Sequence, residues 1–107
     1  MDFEKLYLVL NKRGFFNTFQ VLSHYKDYRA KKGDFYKLLT DFSNYNSFLR
    51  LKDKLLEIEI IKLEIINGDE YIGLTEKGKT IYNNLLQLNE LINGENKEHL
   101  ELLIQSS

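Results

Sequence analysis

The stretch Leu74-Thr75-Glu76-Lys77-Gly78 constrains the fold of this chain more than any other. Thr75 can accept a hydrogen bond as a helix N-cap, and the apolar residues that follow, Ile81, Leu85, Leu88 and Ile92, are spaced four, three and four apart. They describe one face of a helix from Glu76 to Ile92, about 26 Å long at 1.5 Å per residue, which Asn93-Gly94 ends. Just upstream, Ile60 to Ile66 is rich in β-branched residues, Asn67-Gly68 fits the central pair of a type I′ turn, and Tyr71-Ile72-Gly73-Leu74 is the returning strand. A hairpin therefore runs directly into a capped helix. Glu95 to Ile104, with Leu100, Leu103 and Ile104 apolar, is expected to add a last short helix.

Ahead of the hairpin the periodicity is helical. Phe3, Leu6, Tyr7 and Leu10 predict a first helix over 2–12, with Gly14 supplying the left-handed residue that ends it. A second is expected from about Phe16 to Tyr28, with Phe19, Leu22 and Tyr25 on one side; Asn17 is an alternative cap. The basic run Arg29-Ala30-Lys31-Lys32-Gly33 reads as a loop. Asp34 is placed as the N-cap of a short helix with Phe35, Leu38, Leu39 and Phe42 inward, ending at Ser43-Asn44. Phe48, Leu51, Leu55 and Ile58 then mark a helix beginning near Asn46. Two short helices joined by a polar turn and followed by a hairpin spell a winged helix-turn-helix. The expected class is mainly α with a small β-hairpin wing (α+β). Its parts are an N-terminal helix (1–14), the winged helix-turn-helix (15–75) and a C-terminal helical dimerisation segment (76–107).

Composition narrows the function. At 107 residues, 43% hydrophobic and 29% charged, the chain has the make-up of one globular domain. It has no cysteine and two histidines, His24 and His99, so neither a thiolate site nor a histidine cluster is expected to hold a metal. The opening Met1-Asp2-Phe3-Glu4-Lys5 lacks the pattern of a signal peptide, and no stretch approaches the roughly 20 apolar residues of a membrane span, so a cytoplasmic protein with no membrane partner is expected. There is no Gly-rich phosphate loop and no spacing that suggests a Ser, His and acid arrangement, so no enzyme and no cofactor are expected. Net charge is −1, but residues 1–54 carry eleven Lys or Arg against six Asp or Glu, and residues 55–107 four against ten. A basic first half suggests an anionic partner for one face.

The order of parts resembles the winged-helix transcriptional regulators of the MarR, PadR and HxlR kind, in particular the small archaeal and archaeal-virus versions. Two stretches carry the likeness. Arg50 to Ile61 is similar to the end of that family's recognition helix, where a leucine precedes a turn and a pair of aliphatics entering the wing, and Leu74-Thr75-Glu76-Lys77-Gly78 is similar to the family's exit from the wing. The family commonly has glycine where Glu59 stands, so a continued helix or a differently shaped bend is expected there. The tip Asn67-Gly68-Asp69-Glu70 is acidic, whereas wings entering the minor groove usually offer Arg or Lys. This wing is expected to touch DNA weakly or not at all.

On that footing the candidate readers of base edges are Tyr45, Asn46, Ser47 and Arg50, with Lys54 beside them; Arg50 has the geometry to pair with guanine and Asn46 with adenine. Arg29, Lys31, Lys32 and Lys37 are candidate phosphate contacts. The plainer alternatives are that Asn46 or Ser47 acts only as a cap and that the basic loop only solubilises. Of the aromatic residues, Phe3, Phe19, Phe35, Phe42 and Phe48 fall on inward faces and are assigned to the core. The stripe Ile81, Leu85, Leu88 and Ile92, joined by Leu86 and Leu91, is wider than one small domain needs to cover, and is assigned to a homodimer interface. The expected partners are thus double-stranded DNA and a second copy of the chain. Two rivals stand beside this reading: a winged helix used for protein contact, which the acidic wing favours, and a single-strand or RNA-binding module, which the lack of an aromatic-bearing sheet face disfavours.

Overall fold

The computed structural model describes residues 2–42 and 45–94. Their elements, in order, are α1 (Glu4–Leu10), α2 (Arg13–Leu22), β1 (Arg29–Lys31), α3 (Lys32–Phe42), α4 (Tyr45–Glu57), β2 (Ile61–Ile66), β3 (Asp69–Leu74) and α5 (Glu76–Asn93). The three strands form one antiparallel sheet in the order β1-β3-β2. Helices with a small antiparallel sheet and a protruding β2–β3 hairpin make a mainly helical, winged-helix-like α+β fold.

Where local chemistry is strong, sequence and structure coincide. Asn67 and Gly68 both have positive φ, 52° and 84°, as a type I′ turn requires. Thr75 caps α5 by accepting from the Gly78 N–H at 2.9 Å, and Gly94, at φ 72°, ends it. The end of α4 is equally well defined. Ile60 N–H donates to the Leu55 carbonyl and Glu59 N–H to the Leu56 carbonyl, with Glu59 left-handed at φ 61° between them. This pair of bonds is a Schellman motif, and buried Ile60 lies over buried Leu55 as that motif favours. Glu59 thus ends α4 in a left-handed bend, the second of the two outcomes expected there, rather than continuing the helix.

Elsewhere tertiary packing overrides local expectation. The second helix begins at Arg13 and stops at Leu22, not Tyr28; a 3₁₀ turn over Lys26–Tyr28 follows, with Asp27 and Tyr28 at positive φ. Gly14 does not terminate α1 but is buried inside α2, where a Cβ would stand 2.9 Å from the Ser47 carbonyl oxygen. The absence of a side chain lets α2 approach α4. The run Arg29 to Gly33 is not a loop: residues 29–31 pair with β3, setting buried Ala30 opposite Ile72, and Lys32 opens α3. Asp34 sits in the first turn of α3 instead of capping it, where its charge suits the helix dipole. The polar turn at Ser43-Asn44 and the helix expected over 95–104 lie outside the described residues.

The core joins α2, α3, α4 and the sheet through Phe15, Phe19, Leu22, Phe35, Leu39, Phe48, Leu55, Ile61, Ile72 and Leu74, all nearly or fully buried. Phe15 packs edge-on against Phe19, and Phe35 against Phe48 at 4.9 Å. Phe3 and Phe42, placed inward by periodicity, are exposed instead, and Phe15 takes the core place. In α1 the stripe of Phe3, Leu6, Tyr7 and Leu10 faces out, while Val9 alone is buried. From α5, Tyr82 stacks on Phe19 at 5.6 Å, and Ile81 and Leu85 pack beside the core.

Two glycines give a test of close packing. A Cβ on Gly78 would meet the Ile60 carbonyl oxygen at 2.2 Å, whereas a Cβ on Gly33 meets nothing within 4 Å. Gly78→Ala is therefore expected to destabilise by about 3 kcal/mol, while Gly33→Ala, in a helical first turn, leaves stability unchanged or raises it by up to about 1 kcal/mol. Urea denaturation of the two variants beside the parent checks this.

Candidate nucleic-acid interface

The burial of Phe48, Leu51 and Leu55 fixes the rotation of α4. At 100° per residue, the opposite face carries Asn46, Leu49, Arg50 and Asp53, all exposed. Arg50 has no ion-pair partner among the described residues. The remaining residues expected on this face are placed differently. Tyr45 leans on Tyr36 of α3, ring centroids 5.1 Å apart, so its ring is partly committed. Ser47 is half-buried where α4 meets Gly14 of α2, off the outward face. Lys54 lies at its margin and pairs with Glu57 at 3.3 Å.

The expected phosphate contacts split into two groups. Lys37 is exposed on α3 with no ion pair among the described residues. Arg29, Lys31 and Lys32, by contrast, are each held by an acid of the wing: Arg29 by Glu64 at 3.6 Å, Lys31 by Asp69 at 3.5 Å and Lys32 by Glu70 at 3.1 Å. Gly73 makes the first of these reachable. Arg29 is paired with Gly73 in the sheet and its side chain lies where a Cβ at Gly73 would stand, with Cγ 3.2 Å away, so the guanidinium crosses β3 to reach β2. It also sits over the Tyr71 ring at 5.5 Å.

These contacts leave an electrostatic signature. Hydrogen bonding to Glu70, then its charge, holds the Lys32 ammonium above its ordinary value. Hydrogen bonding to Lys62, and further the charges of Lys62 and Arg29, holds the Glu64 carboxyl below the usual carboxylate range. Lys32 is exposed and Glu64 half-buried at the surface, where ion pairs are weak and readily exchanged. The wing acids thus hold three of the cations that the basic half of the sequence supplies.

Two features were not assigned to the interface from periodicity alone. Leu49 is an apolar side chain on the outward face of α4, 40% exposed; the spacing that sends Phe48, Leu51 and Leu55 inward carries that signal. Lys52 lies beside the wing, lining with Lys32, Tyr36, Leu63, Ile65 and Glu70 a groove between the two helices and the hairpin. Burial, followed by the neighbouring Tyr45, pushes the Tyr36 phenol up. No element boundary in the sequence marks this groove, because it forms only when the hairpin folds back beside α3 and α4. Among the described residues no helix is long and apolar enough to cross a membrane. No family model and no curated protein matches the chain, so its function is argued from this geometry.

Proposed function

We propose that this chain is a non-enzymatic, cytoplasmic, sequence-specific double-stranded DNA-binding protein that regulates transcription as a homodimer, in the manner of the MarR, PadR and HxlR regulators its sequence resembles. The observation that carries the reading is the outward face of α4, where exposed Arg50 stands one turn from both Asn46 and Asp53. A guanidinium there suits bidentate pairing with guanine, Asn46 suits adenine, and Leu49 suits a thymine methyl. Lys37 and Lys52 supply phosphate contacts; Arg29, Lys31 and Lys32 do so only by exchanging their wing acids for phosphate. The second copy covers the outer half of the α5 stripe. Ile81 and Leu85 are used by the chain's own core, whereas Leu88 and Ile92 are 53% and 74% exposed. Two copies then set their α4 helices in successive major grooves, about 34 Å apart.

The pairing of three basic residues with wing acids also favours a second reading, a winged helix that binds protein. Titrating genomic duplex fragments by fluorescence anisotropy at two salt concentrations separates the two. Arg50→Ala should lower affinity for the cognate fragment by about 1 to 3 kcal/mol while barely changing that for unrelated duplex. Glu70→Gln releases Lys32, and should strengthen binding to every duplex and steepen log affinity against log salt by roughly one ion per subunit. Both variants should melt with the parent, as exposed changes usually cost under about 0.5 kcal/mol. If the parent recognises no duplex, or recognises one and neither variant alters binding, the protein-contact reading replaces this one.

The dimer has its own test. Changing Leu88 and Ile92 together to Glu should lower the mass measured by light scattering, with the melting temperature retained. An unchanged mass would refute α5 as the interface.

A further inference from the structure

The wing has an open side. β2 is an outer strand of the sheet, and its register with β3 is continuous from Ile61 to Ile66, with no bulge. The pair that closes a two-residue hairpin, here Ile66 and Asp69, exchanges both backbone hydrogen bonds, and so do the alternate pairs Glu64–Tyr71 and Lys62–Gly73. Ile61, Leu63 and Ile65 therefore direct their N–H and C=O groups away from β3. Among the described residues none of these groups has a backbone partner. Natural edge strands are usually blunted by proline, bulges, brevity or charged side chains, lysine above all; β2 carries Lys62, already paired within the strand to Glu64. This one runs six regular residues, and on one face it leaves Leu63 and Ile65 50% and 73% exposed.

We propose that this edge pairs with itself: two copies of the chain join β2 to β2 antiparallel about a two-fold axis at Leu63, fusing their sheets into one of six strands. Symmetry decides the register. In an antiparallel pair related by a two-fold axis, residues equally far from the axis on either side face each other. An axis at Lys62 or at Glu64 sets like charges face to face, which is unfavourable. An axis at Leu63 sets each Lys62 opposite the partner's Glu64, each Ile61 opposite the partner's Ile65, and Leu63 opposite itself. The segment Ile61-Lys62-Leu63-Glu64-Ile65 is thus symmetric in polarity and antisymmetric in charge about its middle residue.

Hydrogen bonding agrees with that register independently of charge. Leu63, half exposed, is one of the residues whose backbone groups point outward, so Leu63 with its copy becomes the hydrogen-bonded pair at the axis, while Ile61 stays buried in its own core. Lys62 and the copy's Glu64 then fall on the non-hydrogen-bonded pairs, whose side chains lie closer together. Within one chain Lys62 already bonds Glu64 at 2.7 Å, and Glu64 also holds Arg29. In the pair each lysine has a facing carboxylate as well, so no charge is left without a partner.

This association does not depend on the DNA reading and uses a surface other than α5. It is tested on the full chain, which has no cysteine of its own. Leu63→Cys places two thiols opposite each other across the axis, at Cα separations of about 5.5 Å that a disulfide spans, and should give a covalent dimer on mild oxidation; Ile65→Cys, facing Ile61 of the copy, should give little. The same Leu63→Cys cross-link should persist when Leu88 and Ile92 are both changed to Glu, which separates this interface from the α5 one. Lys62→Glu and Glu64→Lys should each weaken association roughly tenfold in sedimentation equilibrium. Mixing the two variants should restore it, since the carboxylate introduced in one copy then faces the ammonium introduced in the other. Ile65→Arg, at an exposed position, should weaken association with an unchanged melting temperature. Equal cross-linking at residues 63 and 65, no cross-link at 63, loss of the cross-link in the α5 variant, or failure of the mixture to recover would overturn the proposal.

Discussion

The relation between α4, the wing and α5 depends on a few hydrogen bonds at the root of the wing. When the chain leaves α4 through the left-handed Glu59, the carbonyls of Ile58, Glu59 and Ile60 are turned out of the helix. Each is met by the start of α5. Lys77 Nζ donates to Ile58 at 2.8 Å, the Thr75 hydroxyl donates to Glu59, and Thr75 N–H donates to Ile60 at 3.0 Å. Thr75 Oγ1 in turn accepts from Gly78 N–H, and Gly78 has no side chain to push the Ile60 carbonyl away. Of the three residues Ile60 is the buried one, and its carbonyl left without a donor would cost about 1 to 3 kcal/mol, so this junction ties the end of α4 and the base of the wing to the start of α5.

That junction explains why the stretch from Leu74 to Gly78 was so legible. Its residues act within a few positions of one another: a hydroxyl cap, a glycine at the third helical position, and a two-residue turn that demands positive φ at Asn67 and Gly68. Local chemistry of this kind survives in any tertiary setting. The start and end of α2 were not legible, because Gly14 signals a helix end by propensity but serves here to let α2 approach α4. Nor was β1. Three residues are too few to show an alternating pattern, and its strand conformation is imposed by the ladder to β3. Periodicity likewise finds an apolar face on α1 without saying what covers it; among the described residues only Val9 of that helix is buried. For the candidate interface, the outward face of α4 followed from the inward one, whereas the ion pairs linking β1 and α3 to the wing needed the sheet order.

Those ion pairs change the meaning of the charge asymmetry between the two halves of the sequence. Arg29, Lys31 and Lys32 come from the basic half, and Glu64, Asp69 and Glu70 from the acidic half. The fold brings the two together, so the asymmetry along the chain becomes partial neutralisation in space rather than a strongly basic face. A protein with a strong basic stripe gains most of its affinity from phosphates and discriminates little between sequences. Here, among the described residues, the cations of α3 and α4 without an ion pair are Lys37, Arg50 and Lys52. Under the proposed function, discrimination then rests chiefly on base contacts from α4, and affinity per subunit is modest.

Modest affinity per subunit gives assembly a specific role. An isologous interface closes on itself when a chain has only one of them, giving a dimer and nothing larger. If both proposed surfaces form, one on α5 and one on the β2 edge, each subunit has two different two-fold contacts, and the assembly closes as a tetramer when the two axes meet at right angles and extends as an alternating row when they do not meet. Under the proposed function, an assembly with several α4 helices on one duplex would bind each subunit after the first at the effective concentration set by its neighbours rather than at that in solution. Weak individual contacts with few phosphates would then add up without any basic stripe, and a wing paired with its copy would contribute to binding through assembly instead of through the minor groove.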